Sequence, residues 1–406
     1  MATVQALGNL EGAVDQGTAE LLNIFRTTGP LTRADVSEHT GWARMTVNSR
    51  LDRLVEAGLL EADGLTSASR GRPAAQFRFN PARGVLLVAD IGASGMRLAL
   101  CDLAGEVHRR VDAPVDIAAG PDVVLGEVER RFDQMLGDQA LAGSVWGVGI
   151  SLPGPVEFAT GTVVEPPIMT GWNGTRVPDR LGAHFDVAVF VENDVNAMAL
   201  GEQRACYPQV RDLLFLKTGT GIGAGIIANG SLLRGAQGTA GDIGHTWADA
   251  EDAHARRPLC RCGKQGCVES YASGWAIVRD LATAGQPIET VDQAVERVIF
   301  GDPLATSLLR DAGRVVGSSL AHMVSVLNPS VVVVGGQLAA AGEHFLGGLR
   351  ERVYARSLPL ATRDLQITRS KLDGDAGVIG LAHGLADAVL SPANLTEPGR
   401  ELARRA

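Results

Sequence analysis

The stretch LFLKTGTGIGAGIIANGSLL, residues 214–233, predicts a glycine-rich turn between two β-strands. Its G-x-G-x-x-A pattern by itself suggests a dinucleotide site, where a helix should follow the glycines. Instead, two short apolar segments follow around Asn229-Gly230, a dipeptide that favours a hairpin turn. A turn of this kind presents backbone N–H groups to phosphate oxygens, or it serves packing alone.

Apolar segments on both sides of this hairpin extend the pattern. Buried-type strands are predicted at 85–90, 145–151, 187–191, 213–216 and 331–334, and helical periodicity occupies 123–136 and 305–327. Strands that alternate with helices indicate an α/β fold class.

Composition narrows the class of protein. The chain has 406 residues, enough for two or three domains, and its 45% apolar and 20% charged residues are those of a globular chain. A net charge of −9 argues against a general polyanion binder and leaves room for a local basic patch. No apolar run approaches the roughly 18 residues that suggest a membrane span, and residues 1–10 lack a signal-peptide pattern. We therefore expect a cytoplasmic protein without membrane contact.

Residues 18–80 have the element order of a winged helix-turn-helix. Helices are predicted around 21–25, 33–39 and 43–57, and extended segments follow at 59–60 and 76–79. The alternative is a three-helix protein–protein module.

In a helix-turn-helix the second helix of the motif enters the major groove through its N-terminal residues. Arg and Asn can contact guanine and adenine edges, and an Arg on the wing can follow phosphates or enter a narrow minor groove. The candidate DNA-binding residues are Arg44, Thr46, Asn48, Ser49 and Arg50 on the helix, and Arg70 and Arg72 on the wing.

The segment Val191-Glu192-Asn193-Asp194-Val195-Asn196 follows a predicted strand directly. A carboxylate placed there could take the proton from a hydroxyl that attacks a phosphate, and Asn193 could bind a neighbouring hydroxyl. Asn and Asp are equally well suited to begin a helix, so the segment alone leaves both interpretations open.

A set of cysteines and one histidine indicates a metal site. His245, Cys260, Cys262 and Cys267 form a Cys₃His set, which is typical of structural zinc. A C-x-C pair bridges itself poorly, so the alternative is free buried thiols. The remaining cysteines, Cys101 and Cys206, are expected in the core.

Taken together and in this order, the motifs resemble those of the ROK family, which groups repressors, open reading frames and sugar kinases. The resemblance covers about residues 83–395, and a winged helix in front is the arrangement of the family's regulators. The matching segments are 90–95 and 219–225 for the phosphate loops, 328–336 for the adenosine side, 192–194 for the catalytic Asp motif, 241–245 for Gly-Glu-x-Gly-His and 267–269 for Cys-x-Glu.

The resemblance implies a two-lobed body like that of the actin/hexokinase (ribonuclease H-like) group. We expect a DNA-binding domain at 1–82, lobe 1 at 83–198 completed by a C-terminal helix at about 377–395, and lobe 2 with the zinc site at 199–376. Sugar contacts are implied for Asn193, Asp194, Asp242, His245 and Glu269, with Asp194 as catalytic base only in a kinase. Nucleotide contacts, if any, are implied for Asp90, Gly92, Thr218, Gly219, Thr220, Gly221, Gly335 and Gly336.

One histidine would then have two tasks. One ring nitrogen of His245 would bind zinc while the other bonds a sugar hydroxyl, so that the metal sets the tautomer facing the ligand.

Three departures from the family pattern weaken the kinase interpretation. Ala93-Ser94-Gly95 replaces the usual Gly-Thr-Lys of the first phosphate loop, which adds a methyl group and removes a cation. Asp242 is one methylene shorter than the usual Glu, and Pro166-Pro167 stands where sugar kinases often have Pro-Asn.

The sequence therefore predicts a sugar-responsive transcriptional regulator, a repressor, that forms a homodimer or homotetramer on a palindromic operator. One alternative is an ATP- and Mg²⁺-dependent sugar kinase that carries a DNA-binding domain. Another is a zinc-stabilised dimerisation scaffold without ligand.

Overall fold

The structure is a computed structural model that describes residues 14–65, 74–137, 143–249 and 257–396. The helices are α1 Gln16–Thr28, α2 Arg33–Thr40, α3 Arg44–Glu56, α4 Pro121–Gly137, α5 Val177–Phe185, α6 Asp194–Cys206, α7 Val268–Ala272, α8 Gly274–Thr283, α9 Val291–Ile299, α10 Pro303–Leu327, α11 Glu343–Arg356, α12 Pro359–Thr362, α13 Ala376–Val389 and α14 Pro392–Thr396. The strands are β1 Leu31–Thr32, β2 Leu60–Leu65, β3 Ala75–Phe79, β4 Gly84–Ile91, β5 Gly95–Asp102, β6 Val107–Pro114, β7 Ser144–Leu152, β8 Val156–Glu157, β9 Thr162–Val163, β10 Val189–Asn193, β11 Leu213–Thr218, β12 Ile222–Ala228, β13 Ser231–Leu232, β14 Val331–Gly335 and β15 Gln366–Arg369.

Helices α1 to α3 and a three-stranded antiparallel sheet, in the order β1-β3-β2, form the predicted winged helix-turn-helix. Helix α2 begins with a capping box in which the Thr32 hydroxyl accepts from the Asp35 N–H at 3.2 Å and the Asp35 carboxylate accepts from the Thr32 N–H at 2.8 Å. It ends at Gly41, whose φ of +69° is the left-handed conformation that glycine adopts without strain. Local sequence signals thus set both ends of this helix.

Two five-stranded sheets form the larger part of the molecule. The first has the order β10-β7-β4-β5-β6, with an antiparallel meander from β4 to β6 and with β7 and β10 parallel to β4. The second has the order β13-β12-β11-β14-β15. Asn229 at φ +52° and Gly230 at φ +78° form the tight turn between β12 and β13, so the predicted strand–turn–strand arrangement is confirmed.

Helices α6 and α13 cross where two glycines allow their backbones to touch. A Cβ on Gly201 would lie 2.0 Å from the Ala376 carbonyl oxygen, and one on Gly380 would lie 1.8 Å from that of Ala197. No side chain fits in these spaces, so the helices approach more closely than Leu or Ala would permit. This contact fixes α6, and with it the position of Asp194 at the first turn of that helix.

The winged helix shares its apolar core with the body. Leu22 and Phe25 of α1 belong to the same buried cluster as Leu385 of α13 and Trp146 of β7. Sequence periodicity suggested a self-contained unit at 18–80, whereas the structure joins that unit to the C-terminal helices through one continuous core.

Ion pairs reinforce this junction. Asp387 on α13 accepts from Arg26 of α1 at 2.7 Å and from Arg204 of α6 at 2.8 Å. The winged helix is thereby tied to the same helix that carries Asp194. Among the residues described, no helix has the length and apolar character that crossing a membrane requires.

Candidate functional site

A cleft of about 950 Å³ contains all five predicted sugar-contact residues. It lies at the carboxyl ends of strands from both large sheets, where open α/β sheets commonly bind ligands. Its volume is within the range of small-molecule sites in proteins. The sugar-contact residues that line it are Asn193, Asp194, Asp242, His245 and Glu269.

Asn193 and Asp194 occupy the junction between β10 and α6. The Asn193 side chain accepts from the Val195 N–H at 3.0 Å and donates to the Gly154 carbonyl at 3.1 Å, so Asn193 is the N-cap of α6. The capping role considered from the sequence is confirmed for this residue. Asp194 begins the helix with its side chain only 9% exposed, and it faces the cleft.

A buried ion pair that sequence reasoning missed supports this junction. Glu192 is 3% exposed and accepts from the Asn193 N–H at 3.0 Å, from the Asn196 amide at 2.9 Å and from Arg234 at 2.8 Å. Arg234 also stacks on the ring of Phe158 at 3.9 Å. A buried carboxylate with three donors holds its helix in one position, because losing any partner leaves a desolvated charge.

Sequence reasoning also missed the role of Lys217, whose ammonium group contacts Oδ2 of Asp194. Burial opposes the charge of Lys217, but the carboxylates around it, Asp194 foremost, raise its pKa above the ordinary value. The lysine is therefore an ammonium at neutral pH. Its signal in the sequence is a single charge within the apolar strand β11.

Glu269 connects the glycine-rich turn, the cleft and the cysteine cluster. It is 7% exposed, its Oε2 accepts from the Ile222 N–H at 3.2 Å, and its Oε1 lies 3.9 Å from the Cys260 sulfur. A Cβ on Gly221 would lie 2.9 Å from Oε2, so a larger residue at this position would displace the Glu269 carboxylate. Asp242, by contrast, is exposed at the cleft wall.

The four predicted metal ligands converge. One ligand atom from each of His245, Cys260, Cys262 and Cys267 lies within 4.8 Å of all the others. Nδ1 of His245 is 3.6 Å from the Cys260 sulfur, and the Cys262 and Cys267 sulfurs are 3.7 Å apart. A tetrahedral Zn²⁺, with bonds of about 2.3 Å to sulfur and about 2.0 Å to nitrogen, separates two sulfurs by about 3.8 Å and a nitrogen from a sulfur by about 3.5 Å. The donor set therefore fits tetrahedral zinc in both chemistry and spacing.

Two of the thiols in this cluster, those of Cys260 and Cys267, are buried. Burial raises the pKa of the Cys260 thiol to about 12 and also raises the pKa of Cys267, so these groups keep their protons unless a metal replaces them. The segment from Pro258 to Cys267, here called the knuckle, turns at Gly263 with φ +86° and at Gly266 with φ +77°. Of the other cysteines, Cys101 is buried as predicted, whereas Cys206 is only half-buried.

The predicted nucleotide loops are split between cleft and core. Asp90, Gly92, Gly219, Thr220, Gly221 and Gly336 line the cleft. Thr218 is fully buried and its hydroxyl donates to the Gly335 carbonyl at 3.0 Å, so both residues join β11 to β14. Burial raises the pKa of Asp90, against a hydrogen bond from Ser151 that lowers it.

Helix α3 presents an exposed N-terminal face. Arg44, Thr46 and Ser49 are exposed, as is Met45 at 78%, which the sequence did not single out. The helix has no side-chain N-cap and no acidic residue in its first turn, so its N–H groups and dipole are available to a phosphate.

Two other candidates on α3 are held within the domain. The Asn48 side chain accepts from Arg33 at 3.0 Å, and Arg50 lies over the ring of Trp42 at 4.0 Å. The wing residues Arg70 and Arg72 lie outside the described part of the chain.

Two family models cover this arrangement. Residues 19–61 match a winged helix-turn-helix DNA-binding model, and residues 87–387 match the model of the ROK family. The chain belongs to the ROK family. Its regulator-type organisation, an N-terminal winged helix before the ROK body, is confirmed.

Similar proteins include both regulators and kinases of the ROK family. The xylose repressor of Caldicellulosiruptor bescii is 29% identical over 366 residues, which is 86% of this chain and 90% of that protein. A ROK family transcriptional regulator, a homologue of the E. coli MLC protein, superposes with a TM-score of 0.77 at 26% identity, over 95% of this chain and 98% of its own. A ROK family glucokinase from Streptomyces griseus, solved with glucose and AMPPNP, has a TM-score of 0.61 at 29% identity, over 74% of this chain and 99% of its own.

These likenesses confirm the predicted fold class: an α/β chain with a winged helix-turn-helix before an actin/hexokinase-like body. They also confirm the predicted functional class of this ROK protein, a DNA-binding transcriptional regulator.

Proposed function

We propose that this ROK protein is a cytoplasmic sugar-responsive repressor whose cleft binds a sugar or sugar derivative and whose winged helix binds an operator. The observation that carries the proposal is the convergence of Asn193, Asp194, Asp242, His245 and Glu269 on one cleft in a chain that also has a DNA-binding domain. Carboxylates, an amide and an imidazole are the groups that orient sugar hydroxyls through hydrogen bonds.

Zinc has a structural part in this proposal. His245, Cys260, Cys262 and Cys267 would hold one Zn²⁺, which replaces the thiol protons and secures the knuckle. Nδ1 of His245 faces the cluster, so Nε2 is the nitrogen left for a sugar hydroxyl. The side chains of His245 and Glu269 then bind the sugar from a wall that the metal keeps in place.

In this proposal each predicted domain has its own role. Residues 1–82 bind DNA, with Arg44, Thr46 and Ser49 on the exposed face of α3 and Arg70 and Arg72 on the wing. Residues 83–198 with about 377–395, and residues 199–376, form the two lobes around the sugar. A homodimer or homotetramer would place two winged helices on a palindromic operator.

The response to sugar requires that the ligand prefer one arrangement of the winged helices. The Arg26–Asp387–Arg204 ion pairs and the shared core connect α1 to α6, the helix that begins at Asp194. A shift of α6 on sugar binding would therefore reach the DNA-binding domain through packed elements.

The test uses the full chain with a fragment carrying its own promoter region. A thermal-shift screen of sugars, followed by calorimetry, should identify a ligand that changes operator affinity in a mobility-shift assay. Asp194→Asn should weaken both sugar binding and the DNA response. Specific DNA binding that no sugar alters would refute the sensor role, and absence of specific DNA binding would refute the regulator role.

A further inference from the structure

Lys217 is a charged residue at the end of strand β11 that lines the cleft, and the glycine-rich turn after it does not account for a charge there. Its registered neighbours are Gly223 on β12 and Gly335 on β14, so no side chain covers the lysine stem from either adjacent strand. The stem is free to run into the cleft, where the ammonium group meets Asp194. The side chain is 25% exposed and that of Asp194 is 9% exposed.

A second carboxylate is within electrostatic reach of the same ammonium group. Asp90 lines the same cleft as Lys217 and Asp194, and it is held by a 2.5 Å hydrogen bond from Ser151. A Cβ on Gly377 would lie 2.3 Å from Asp90, which places this carboxylate directly on the first turn of α13. Lys217, on β11 of the second sheet, thus brings a positive charge to two carboxylates of the first sheet, Asp90 on β4 and Asp194 directly after β10.

Phosphoryl transfer needs other groups at this place. The attacking hydroxyl must give its proton to a carboxylate that is free to accept it, and Mg²⁺ must neutralise the charge of the phosphates. The Lys217 ammonium group already donates to Oδ2 of Asp194, so it occupies an oxygen that would receive that proton. It also repels a divalent cation from the space between Asp194 and Asp90. The residues present here therefore do not fit magnesium–ATP.

We propose that Lys217 makes this cleft a sugar-binding site without phosphoryl transfer, because its ammonium group takes the cation position between Asp194 and Asp90. This inference deepens the proposed sensor function and rests on it only for the identity of the ligand. Among the described residues, Oδ1 of Asp194 accepts no hydrogen bond, so this oxygen is available to a sugar hydroxyl while Oδ2 holds the lysine. Lys217 is accordingly a positioning residue: it acts on the ligand through Asp194.

The experiment measures Mg²⁺ binding to the full chain in the absence of sugar and DNA. The variants are Lys217→Met and Lys217→Thr, and the matched control is Lys371→Met, in which the lysine lies over the Tyr207 ring at 4.4 Å and outside the cleft. We expect no Mg²⁺-dependent stabilisation of the wild type or the control. The Lys217 variants should gain a site with a dissociation constant on the order of 1 mM, seen as a rise of about 2 °C in Tm at about 10 mM Mg²⁺.

A double variant, Lys217→Met with Asp194→Asn, should lose that gain, because one carboxylate of the pair is then missing. Folded Lys217 variants without a Mg²⁺ site would overturn the proposal. So would a wild type that binds Mg²⁺ in a manner abolished by Asp194→Asn, or one that phosphorylates a bound sugar. The wild-type arm tests the proposal even if both Lys217 variants fail to fold. Failure of the sensor function is seen separately, as absent sugar or operator binding by the wild type.

Discussion

Replacing one cysteine of the His245, Cys260, Cys262 and Cys267 cluster should lower both the stability of the protein and its affinity for sugar, because the cluster lies beside the cleft residue Glu269. In Cys262→Ser the partner of the Cys267 sulfur at 3.7 Å is lost, and three ligands no longer close a tetrahedral site. Backbone hydrogen bonds also hold the segment from Pro258 to Cys267, among them Cys260 N–H to the Lys264 carbonyl at 2.7 Å and Gly266 N–H to the Pro258 carbonyl at 3.0 Å. We therefore expect loss of the metal and a less rigid segment, without its complete unfolding.

The magnitude follows from the role of the metal. Loss of a structural metal belongs to the mutations that cost about 4 kcal/mol or more of the free energy of unfolding. Since each kcal/mol shifts the Tm of a large domain by about 2–4 °C, Tm should fall by about 8–16 °C. Sugar affinity should fall about tenfold, because the metal no longer orients His245 and one hydrogen bond of about 1.4 kcal/mol is lost.

The assay combines elemental analysis of protein purified without added metal or chelator, scanning calorimetry, and sugar titration. Cys206→Ser is the control, since Cys206 is half-buried and lies outside the cluster. Wild-type protein should contain about one zinc per chain. The reasoning is refuted if wild-type protein holds no tetrahedral metal, or if Cys262→Ser keeps its metal and its Tm.

Three further changes test other parts of the molecule. Arg44→Ala should weaken operator binding and lower the slope of log affinity against log salt by about 1, as expected for one lost phosphate contact. The control Arg363→Ala, which removes an exposed arginine of the body, should change neither the affinity nor the slope. Equal slopes for the wild type and both variants would contradict the assignment of Arg44 to DNA binding. Asp387→Ala removes the ion pairs with Arg26 and Arg204. Because the Asp387 carboxylate is 48% exposed, the free energy of unfolding should fall by only about 1 kcal/mol. A fall several times larger would show that solvent does not screen these ion pairs. Burial lowers the pKa of His383 below its ordinary value of 6.5, so its contribution to stability is complete above that pH and is lost as the pH falls below it. Tm measured at about pH 7.5 and pH 5.5 should drop more in the wild type than in His383→Leu, and equal drops would contradict this.

Much of the local structure was predictable because its causes are local. The capping box of Thr32 and Asp35 and the glycine at Gly41 define α2 within ten neighbouring residues. The Asn229-Gly230 turn specifies a hairpin on its own, which excludes a Rossmann-type helix after the glycine-rich turn. The spacing of His245, Cys260, Cys262 and Cys267 predicted that these side chains would converge, and the structure brings them together.

What the sequence by itself determined is therefore the type and order of the elements, the set of one histidine and three cysteines that could hold a metal, and the family of the chain. Only the tertiary structure decided which charges meet. Lys217 and Asp194 are 23 residues apart, on a strand of one sheet and a helix that follows a strand of the other. Their contact requires α6 to pack on the second sheet, where a Cβ on Gly225 would lie 2.6 Å from the Val195 carbonyl oxygen, and periodicity does not show this packing. The same holds for Leu22 and Leu385, whose shared core joins the first helix to the C-terminal helices. The apolar pattern of an element predicts which of its faces is buried. Only the tertiary structure shows which other element packs against that face.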